Sequence, residues 1–280
     1  MNPSAELTAE EQTGVLADLY SARAEAYDSL WSPVIRPAGQ RLLNRFPLAE
    51  AMHVIDVGTG AGALLPSIRK AAPKARILGV DRSEGMLRLA KKKHAGPLAL
   101  MDAQKLELSA NQFDVAVIAF VLFHLPRPER CIDEVNRVLR PGGAVGTVTW
   151  SAQRLPAASA VWDEELRAAG ATIVELPAVE NRSCCDSRAK VTALLNRGGF
   201  MAIKAWTEPV MNRWQPEDHF EYQVRSSWRE ELQSLPRRKR LDCVSRVQNR
   251  LAGLSKDQYM FRGTVVMATA VKPDHRAGKH

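Results

Sequence analysis

Small residues and carboxylates follow several short apolar runs, and these are the residues whose types and spacing could bind a polar ligand. The stretch 54–62, Val-Ile-Asp-Val-Gly-Thr-Gly-Ala-Gly, reads as a buried strand, a glycine turn and a helix start. Alternate glycines let the backbone turn sharply and leave no side chain between it and a ligand, while the helix presents unpaired N–H groups. A glycine turn by itself is not specific, because it also occurs in dinucleotide-binding sites and where the backbone only packs closely.

Later strand ends carry further polar groups. Asp81 lies about 20 residues beyond the glycines, where a carboxylate can accept two hydrogen bonds from a ribose diol. Asp102, beside the small Ala103, could accept from an adenine amine, and Met86 could cover the base. In an open α/β sheet, ligands bind beyond the carboxyl ends of the strands, so these residues are expected to share one site with His124, at the end of another strand.

Strand and helix patterns alternate between residues 52 and 150, which predicts a parallel sheet with helices on both faces. Strands are predicted at 52–57, 75–80, 97–101, 113–119 and 143–150, with helices at 62–71, 83–93 and 127–139. Before them, a helix over 7–31 that Pro33 and Pro37 break, and a helical turn over 39–46, are expected to cap the sheet. After residue 150 we predict helices at 157–169 and 186–196 around an irregular segment, 172–185, then strands at 200–208 and 259–271.

Three parts follow from this pattern. We predict an N-terminal helical cap over 1–50, one α/β domain over 51–208 and 259–272, and a charged helical insertion over 209–258 that forms a lid.

The composition is that of an ordinary soluble globular protein, with 280 residues, 45% hydrophobic and 25% charged. The start has no secretory or transit pattern, and the longest apolar run, 115–123, is far below the roughly 20 residues of a membrane helix. We therefore expect a cytoplasmic protein without a membrane span. The four cysteines lack metal-site spacing, so they are interpreted as reduced thiols, and no metal is expected.

The formal charge of +8 is unevenly placed, with eight Arg or Lys residues against three acids between residues 225 and 250. This segment is either a surface for nucleic acid or acidic substrates, or a solvated helical face.

Four segments in order resemble the signature series of class I S-adenosylmethionine-dependent methyltransferases. They are Asp56-Val-Gly-Thr-Gly-Ala-Gly, Val-Asp81-Arg-Ser, Met-Asp102-Ala and Arg-Val-Leu-Arg-Pro141-Gly-Gly, and they cover about residues 50–150. Within that superfamily they are most similar to the type 11 and ubiquinone/menaquinone-biosynthesis-like group. The resemblance implies a Rossmann-like α/β fold with a seven-stranded, mostly parallel sheet whose last strand is antiparallel. It also implies S-adenosylmethionine as the cofactor.

The resemblance also implies roles for individual residues. The glycine turn, with Gly58, Thr59, Gly60 and Gly62, would hold the amino-acid part of the donor, and Asp56 its amino group. Contacts to the ribose, the base and the sulfonium would come from Asp81, Arg82, Met86, Asp102, Ala103 and Phe120. A helix with a similar pattern often precedes the sheet in this group, and it matches Tyr20, Arg23 and Tyr27 here. These three residues are therefore expected at the cofactor site.

The expected reaction is an in-line displacement, in which an acceptor atom attacks the methyl carbon of the sulfonium. His124 is the candidate base if the acceptor is a hydroxyl, and the alternative is that it only packs at the strand end. The fourth strand is followed by Phe-Val-Leu-Phe-His-Leu-Pro, unlike the Asn/Asp-Pro-Pro-aromatic turn that resembles enzymes methylating nucleic-acid bases. A small organic acceptor is therefore the first expectation, in a pocket for which Phe123, Trp214 and Trp228 are candidates.

Other classes stay open. A methyltransferase acting on RNA or protein would use the basic segment, with Arg237, Arg238, Lys239 and Arg240 holding phosphates or acidic side chains. A donor-binding protein without catalysis has the same sequence signals. A nicotinamide-dependent oxidoreductase would use the glycine turn too, although the tighter glycine spacing and Asp102 favour the methyl donor.

Overall fold

The computed structural model describes residues 7–45, 47–173 and 182–274. Within them, seven strands form one sheet in the order β3-β2-β1-β4-β5-β7-β6. The strands are β1 His53–Val57, β2 Arg76–Asp81, β3 Leu98–Leu100, β4 Phe113–Ala119, β5 Leu139–Arg154, β6 Met201–Arg213 and β7 Met260–Val271. Strands β1 to β5 pair in parallel, and β7 runs antiparallel to both of its neighbours. The predicted seven-stranded Rossmann-like sheet is confirmed.

Ten α-helices flank the sheet in the described residues. They are α1 Ala9–Ala26, α2 Ser32–Leu43, α3 Leu65–Ala71, α4 Glu84–Lys93, α5 Pro128–Val138, α6 Ala157–Ala169, α7 Arg188–Arg197, α8 Pro216–Tyr222, α9 Arg229–Ser234 and α10 Arg237–Ala252. No helix of this described part is long and apolar enough to cross a membrane.

The sheet is apolar at its centre, which fixes the positions of the strand ends. Val115, Ala116, Val117 and Ile118 of β4 are all almost fully buried. A strand with this pattern is covered on both faces, as the sequence predicted. The carboxyl ends of β1, β2 and β4 consequently meet at one edge of a rigid sheet, where residues 58–62, 81–83 and 120–124 follow them.

The N-terminal helices lie against this edge, and the predicted helix break at Pro33 and Pro37 is wrong. The chain passes from α1 through a π-helical turn at 27–31 into α2, which contains both prolines. Pro33 lies in the first turn of α2, where its missing N–H needs no helical partner. Helix α1 contacts the start of α4, since the hydroxyl oxygens of Ser21 and Ser83 are 2.7 Å apart.

Several element boundaries differ from the prediction in the second half of the chain. Strand β6 continues to Arg213, so residues 209–213 pair with β7 rather than beginning the helical segment. Strand β5 begins at Leu139, ahead of a bulge around Pro141-Gly142-Gly143. The buried Lys272 ammonium stabilises that bulge by donating to the Leu139 carbonyl at 2.7 Å. Of the predicted irregular segment 172–185, residues 174–181 lie outside the described residues.

Candidate active site

The glycine turn after β1 combines close packing with open space. Gly58 and Gly60 have φ of +70° and +55°, a left-handed conformation that glycine adopts without strain. A Cβ atom on Gly58 would lie 2.3 Å from Val121 Cγ2, whereas one on Gly60 would meet nothing within 4 Å. The backbone at Gly60 is therefore open to a ligand, while Gly58 lets the turn pack against the residues after β4.

Two carboxylates flank this turn, and neither forms an ion pair with a described residue. Asp56 is buried and accepts a hydrogen bond from the Thr59 hydroxyl at 2.7 Å. Burial, together with the nearby Asp81 charge, raises the pKa of Asp56 to about 6. Asp81 accepts from the backbone N–H groups of Gly60 and Ser83, both at 2.8 Å, and desolvation raises its pKa. Both sites suit a ligand that brings cationic or hydroxyl donors.

Asp102 and Arg82 are paired with each other. An Arg82 guanidinium N–H donates to Asp102 Oδ2 at 2.5 Å, and the Gln104 backbone N–H donates to Asp102 Oδ1 at 2.8 Å. The sequence placed both residues in the site but did not indicate their pairing, since they follow different strands.

Two small cavities lie along the strand ends and share Tyr27, Gly58, Gly60 and Phe120. The first has a volume of about 130 Å³, and the predicted residues that line it are Tyr20, Tyr27, Gly58, Gly60, Asp81, Arg82, Met86, Asp102, Ala103, Phe120 and His124. The second, of about 50 Å³, adds Asp56 and Thr59. These two cavities together are called the polar site below.

Two residues predicted for the cofactor line neither of these cavities. Gly62 packs under the turn, where a Cβ would lie 3.1 Å from the Ala90 backbone. Arg23 of α1 forms an ion pair with Glu230 of α9 and lines a different cavity. Its partner is 207 residues away in sequence, so no local pattern indicated this pairing.

That third space, called the aromatic cavity below, has a volume of about 800 Å³. Ten Phe, Tyr or Trp residues line it: Tyr20, Tyr27, Trp31, Phe120, Phe123, Trp150, Trp214, Tyr222, Trp228 and Phe261. Phe123, Trp214 and Trp228 were predicted at such a pocket. The sequence analysis missed Trp31, Trp150 and Tyr222, although Trp31 stacks on Tyr222 with ring centroids 5.6 Å apart. Their aromatic character was the available signal, but they come from a π-helical turn, a strand and a helix far apart in sequence.

The polar site and the aromatic cavity meet at Tyr20, Tyr27, Phe120 and His124, which line both. Tyr20 Oη and His124 Nε2 are 2.9 Å apart, within hydrogen-bond distance. Phe120 has φ of +60°, a conformation that costs a residue with a side chain about 1–3 kcal/mol and that concentrates at functional sites. This junction is where groups bound in the two spaces could react.

Comparison with known proteins bears on the strand-end part of this arrangement. A family described as "Methyltransferase domain" (type 11) matches residues 55–146, which contain the glycine turn, Asp81, Asp102 and His124. Residues 55–146 are thus similar to a methyltransferase domain. It is 30% identical over 152 residues to the ubiquinone/menaquinone biosynthesis C-methyltransferase UbiE of Cupriavidus taiwanensis, covering 50% of this chain and 62% of that protein. The chain thus matches less than two thirds of this relative's length.

Solved structures share the fold of the methyltransferase domain. The phosphoethanolamine N-methyltransferase 2 of Haemonchus contortus, in complex with S-adenosylhomocysteine, aligns with a TM-score of 0.51 and 20% identity over 94% of this chain and 58% of that one. The cyclase SpnF aligns with a TM-score of 0.54 and 18% identity over 96% of this chain and 98% of that one. At these identities the likeness extends to the fold alone.

Residues 55–146 supply most of the polar site, to which the N-terminal helices add Tyr20 and Tyr27, while much of the aromatic cavity comes from outside this range. Helix α1, the 27–31 turn, α6 and the helical segment after β6 contribute most of its wall. In the described residues, no group of three His, Cys, Asp or Glu side chains is placed to bind one metal ion.

Proposed function

We propose that this protein transfers the methyl group of S-adenosylmethionine to a small organic molecule held in the aromatic cavity. The observation that carries this proposal is the junction of the two spaces at Tyr20, Tyr27, Phe120 and His124. The aromatic cavity, at about 800 Å³, falls within the range of roughly 300–1,000 Å³ that small-molecule sites occupy. The helices after β6 would then act as its lid.

The residues of the polar site fit the donor. Asp81 would accept hydrogen bonds from the ribose hydroxyls, Asp56 would face the cationic amino group, and the open backbone at Gly60 leaves room for the chain between them. Met86, Ala103 and the Arg82–Asp102 pair would surround the base. When bound, the donor supplies an already activated methyl group, so the protein's own contribution is orientation and exclusion of water.

The Tyr20–His124 pair is suited to manage a proton at the junction. If the acceptor atom is a hydroxyl, the His124 imidazole would take its proton, and Tyr20 would hold the ring through the contact at 2.9 Å. Positioned general bases contribute about 10²–10⁴-fold to rates, so we expect His124→Gln to lower kcat by about 100-fold while leaving the donor Kd nearly unchanged. The measurement is release of S-adenosylhomocysteine with the best substrate from a panel of hydroxylated aromatic compounds. Unchanged turnover across pH would remove His124 from proton transfer.

Calorimetry with S-adenosylmethionine and, separately, NAD tests the proposal. We expect the methyl donor to bind and NAD to give no heat. Binding of NAD without binding of the donor would contradict the proposal and favour an oxidoreductase. Donor binding without S-adenosylhomocysteine release over a broad acceptor panel would favour a donor-binding protein that does not transfer methyl groups.

A methyltransferase acting on RNA or protein is the second candidate. Part of the basic segment is engaged in ion pairs within the chain, whereas Arg237, Arg238 and Lys239 are exposed at the start of α10. Arg225 pairs with Glu221, Arg246 with Glu165, and Arg250 with Glu164. Cations engaged within the chain contribute less to binding phosphates than free ones. Affinity for RNA that falls steeply with salt concentration would nevertheless support this candidate.

Donor affinity should depend on pH through Asp56. Its carboxylate, with a pKa of about 6, is ionised above that value and becomes protonated as the pH falls through it. Because only the ionised form attracts a cationic amino group, we expect the donor to bind about tenfold more weakly at pH 5 than at pH 7.5. Asp81, whose pKa is also raised, acts in the same direction.

Titration calorimetry at several pH values measures this dependence. Asp56→Asn should bind the donor more weakly at pH 7.5 and show a flatter pH profile. A wild-type Kd that stays constant between pH 7.5 and pH 5 would rule out Asp56 as the group that binds the amino end.

A further inference from the structure

A further cavity, called the basic cavity below, lies between α1, α4 and residues 224–233. Its volume of about 560 Å³ falls within the range of roughly 300–1,000 Å³ that small-molecule sites occupy. The charged residues that line it are five cations and one carboxylate: Arg23, Arg88, Lys92, Arg225, Arg229 and Glu25. Among the described residues it shares Arg23 with the aromatic cavity and no lining residue with the polar site. The basic cavity is therefore separate from the spaces proposed for methyl transfer.

Two of the five cations are neutralised within the chain. Arg23 forms an ion pair with Glu230 of α9. Arg225, in the π-helical turn at 223–227, pairs with Glu221 and lies 3.6 Å from Glu25 of α1. Because two of these pairs join α1 to the residues after β6, they hold two walls of the basic cavity together.

The other three cations have little compensation. The Arg229 guanidinium donates to the Ala22 carbonyl at 2.7 Å, which is an uncharged acceptor. Arg88 lies 3.9 Å from Glu84, and both side chains are 71% exposed, so this pair neutralises little charge. Lys92 forms no ion pair in the part of the chain that the structure describes. Since Arg88 and Lys92 are four positions apart on α4, they lie on one face of that helix.

This arrangement of cations suits a ligand with several negative charges. Cations that line one cavity from different walls repel each other, and a multivalent anion relieves that repulsion. A phosphate ester carries a charge of about −1.5 to −2 at pH 7, whereas a carboxylate carries only one negative charge. Guanidinium groups also donate two parallel hydrogen bonds to phosphate oxygens. The cavity therefore favours a phosphate group over a carboxylate.

The remaining lining residues leave room for more than a phosphate group. The Gln233 amide adds an uncharged donor, while Leu89 of α4 and Val224 of the 223–227 turn add apolar surface. A cavity of this volume is much larger than a single phosphate. The walls thus fit a small molecule that has both a phosphate group and a less polar part.

We propose that the basic cavity binds a phosphorylated small molecule, which bridges α4 to the helices after β6. On α4 the anion would contact Arg88 and Lys92, and on α9 it would contact Arg229. The residue before α9, Trp228, lines the aromatic cavity, so a ligand bound here would hold one wall of that cavity in place. The proposal concerns a second ligand and does not depend on methyl transfer.

Calorimetry with sodium pyrophosphate, at pH 7.5 and low salt and without the methyl donor, tests binding to the full chain. Loss of a hydrogen bond to a charged group changes affinity by about tenfold or more, so Arg229→Gln and Lys92→Gln should each raise the pyrophosphate Kd by at least about tenfold. Lys91→Gln is the matched control, because Lys91 is exposed on α4 but does not line the cavity. Its Kd should stay within about twofold of the wild-type value, since solvent and salt screen its charge.

A variant with the opposite expected effect separates recognition from damage to the fold. Glu25 is the carboxylate that lines the basic cavity, and its side chain is 77% exposed. Glu25→Gln removes a negative charge and frees Arg225, so pyrophosphate should bind about threefold more tightly. A damaged fold would not produce this gain.

Hydrogen exchange tests whether the bound anion bridges the two walls. With free pyrophosphate at about ten times its Kd, the amides of residues 223–234 should exchange about tenfold more slowly if their opening breaks the site. Lys92→Gln at the same concentration should show little change. This variant removes no ion pair among the described residues, so it decides the result if Arg229→Gln lowers the melting temperature.

Four outcomes would overturn the proposal. They are no binding of pyrophosphate by the wild type, a Kd that Lys92→Gln leaves within about twofold, a weaker Kd in Glu25→Gln, and binding that leaves exchange in residues 223–234 unchanged. A short RNA oligonucleotide that binds about tenfold more tightly than pyrophosphate, and loses this affinity in Lys92→Gln, would assign the cavity to nucleic acid instead.

Discussion

Asp81→Ala is expected to weaken S-adenosylmethionine binding by about two orders of magnitude. The carboxylate already accepts from the N–H groups of Gly60 and Ser83, which holds it at the wall of the polar site. Each hydrogen bond to a charged group is worth about 1.5–3 kcal/mol, so loss of two ribose contacts costs about 3 kcal/mol or more. Since 1.4 kcal/mol corresponds to about a tenfold change in Kd, the expected loss exceeds about 100-fold. Titration calorimetry measures it directly.

Two matched variants define what the Asp81 result means. Glu84→Ala removes a carboxylate three residues further on, which is 71% exposed and pairs only loosely with Arg88 at 3.9 Å. It should leave the donor Kd within about twofold, since its charge is screened by solvent. Asp81→Asn keeps the shape of the side chain but removes its charge. Its donor Kd should lie between those of the wild type and Asp81→Ala. A donor Kd that is unchanged in Asp81→Ala, with an unchanged melting temperature, would place the ribose elsewhere.

The polar site could be predicted because its residues follow from local patterns. Asp56, Asp81 and Asp102 each stand at or just after a strand that is recognisable by its apolar run. Parallel strands in a covered sheet bring their carboxyl ends to one edge, so sequence order alone placed these side chains together. The expected residues Tyr20 and Tyr27 also line the polar site, because α1 contacts the start of α4 through Ser21.

The aromatic cavity could be predicted only in part, because its wall depends on contacts between distant elements. Arg23 meets Glu230, and the Arg229 guanidinium donates to the Ala22 carbonyl at 2.7 Å, which joins α1 to α9. Neither contact follows from helical spacing or from a motif. The contact between Ser159 and His219 is similar, since these residues lie 60 positions apart in sequence and nothing in the α6 sequence marks Ser159.

The boundary errors have local physical causes. The prediction that Pro33 and Pro37 break the helix is wrong, because Pro33 lies in the first turn of α2, where proline is favourable, and Pro37 is accommodated inside α2. The predicted strand 200–208 stops just before Pro209, yet Pro209 pairs in register with Thr264 within β6 and β7. β6 is the edge strand of the sheet, and an edge position tolerates proline because its missing N–H can face away from the partner strand.

The second prediction concerns the glycine turn. Changing Gly58 to alanine should mainly lower stability, whereas changing Gly60 to alanine should mainly weaken donor binding. Both have positive φ, which costs an alanine about 1–2 kcal/mol. At Gly58 the new Cβ would also lie 2.3 Å from Val121 Cγ2, and overpacking of this kind costs about 1–3 kcal/mol more. We therefore expect Gly58→Ala to lower the free energy of unfolding by about 3 kcal/mol, measured by denaturant titration.

At Gly60 the new Cβ meets no protein atom within 4 Å. The free energy of unfolding of Gly60→Ala should therefore fall only by the backbone strain of about 1–2 kcal/mol. The same methyl group would project into the space proposed for the donor, and about 2 kcal/mol of steric conflict there corresponds to about 30-fold weaker binding. Calorimetry on the folded variant measures this loss, and a Gly60→Ala protein that binds the donor as tightly as wild type would mean that the ligand does not approach this turn.

Two controls separate backbone strain from contact at these positions. The first control is Gly142→Ala. Gly142 has φ of +77°, a Cβ atom added there would meet nothing within 4 Å, and the residue lies in the β5 bulge away from the polar site. It should match the stability loss of Gly60→Ala and leave donor binding unchanged. Adding Val121→Ala to Gly58→Ala should recover part of the lost stability, because it removes the methyl group that the new Cβ strikes. If Gly58→Ala is no less stable than Gly142→Ala, the close packing of the turn against Val121 does not constrain this position.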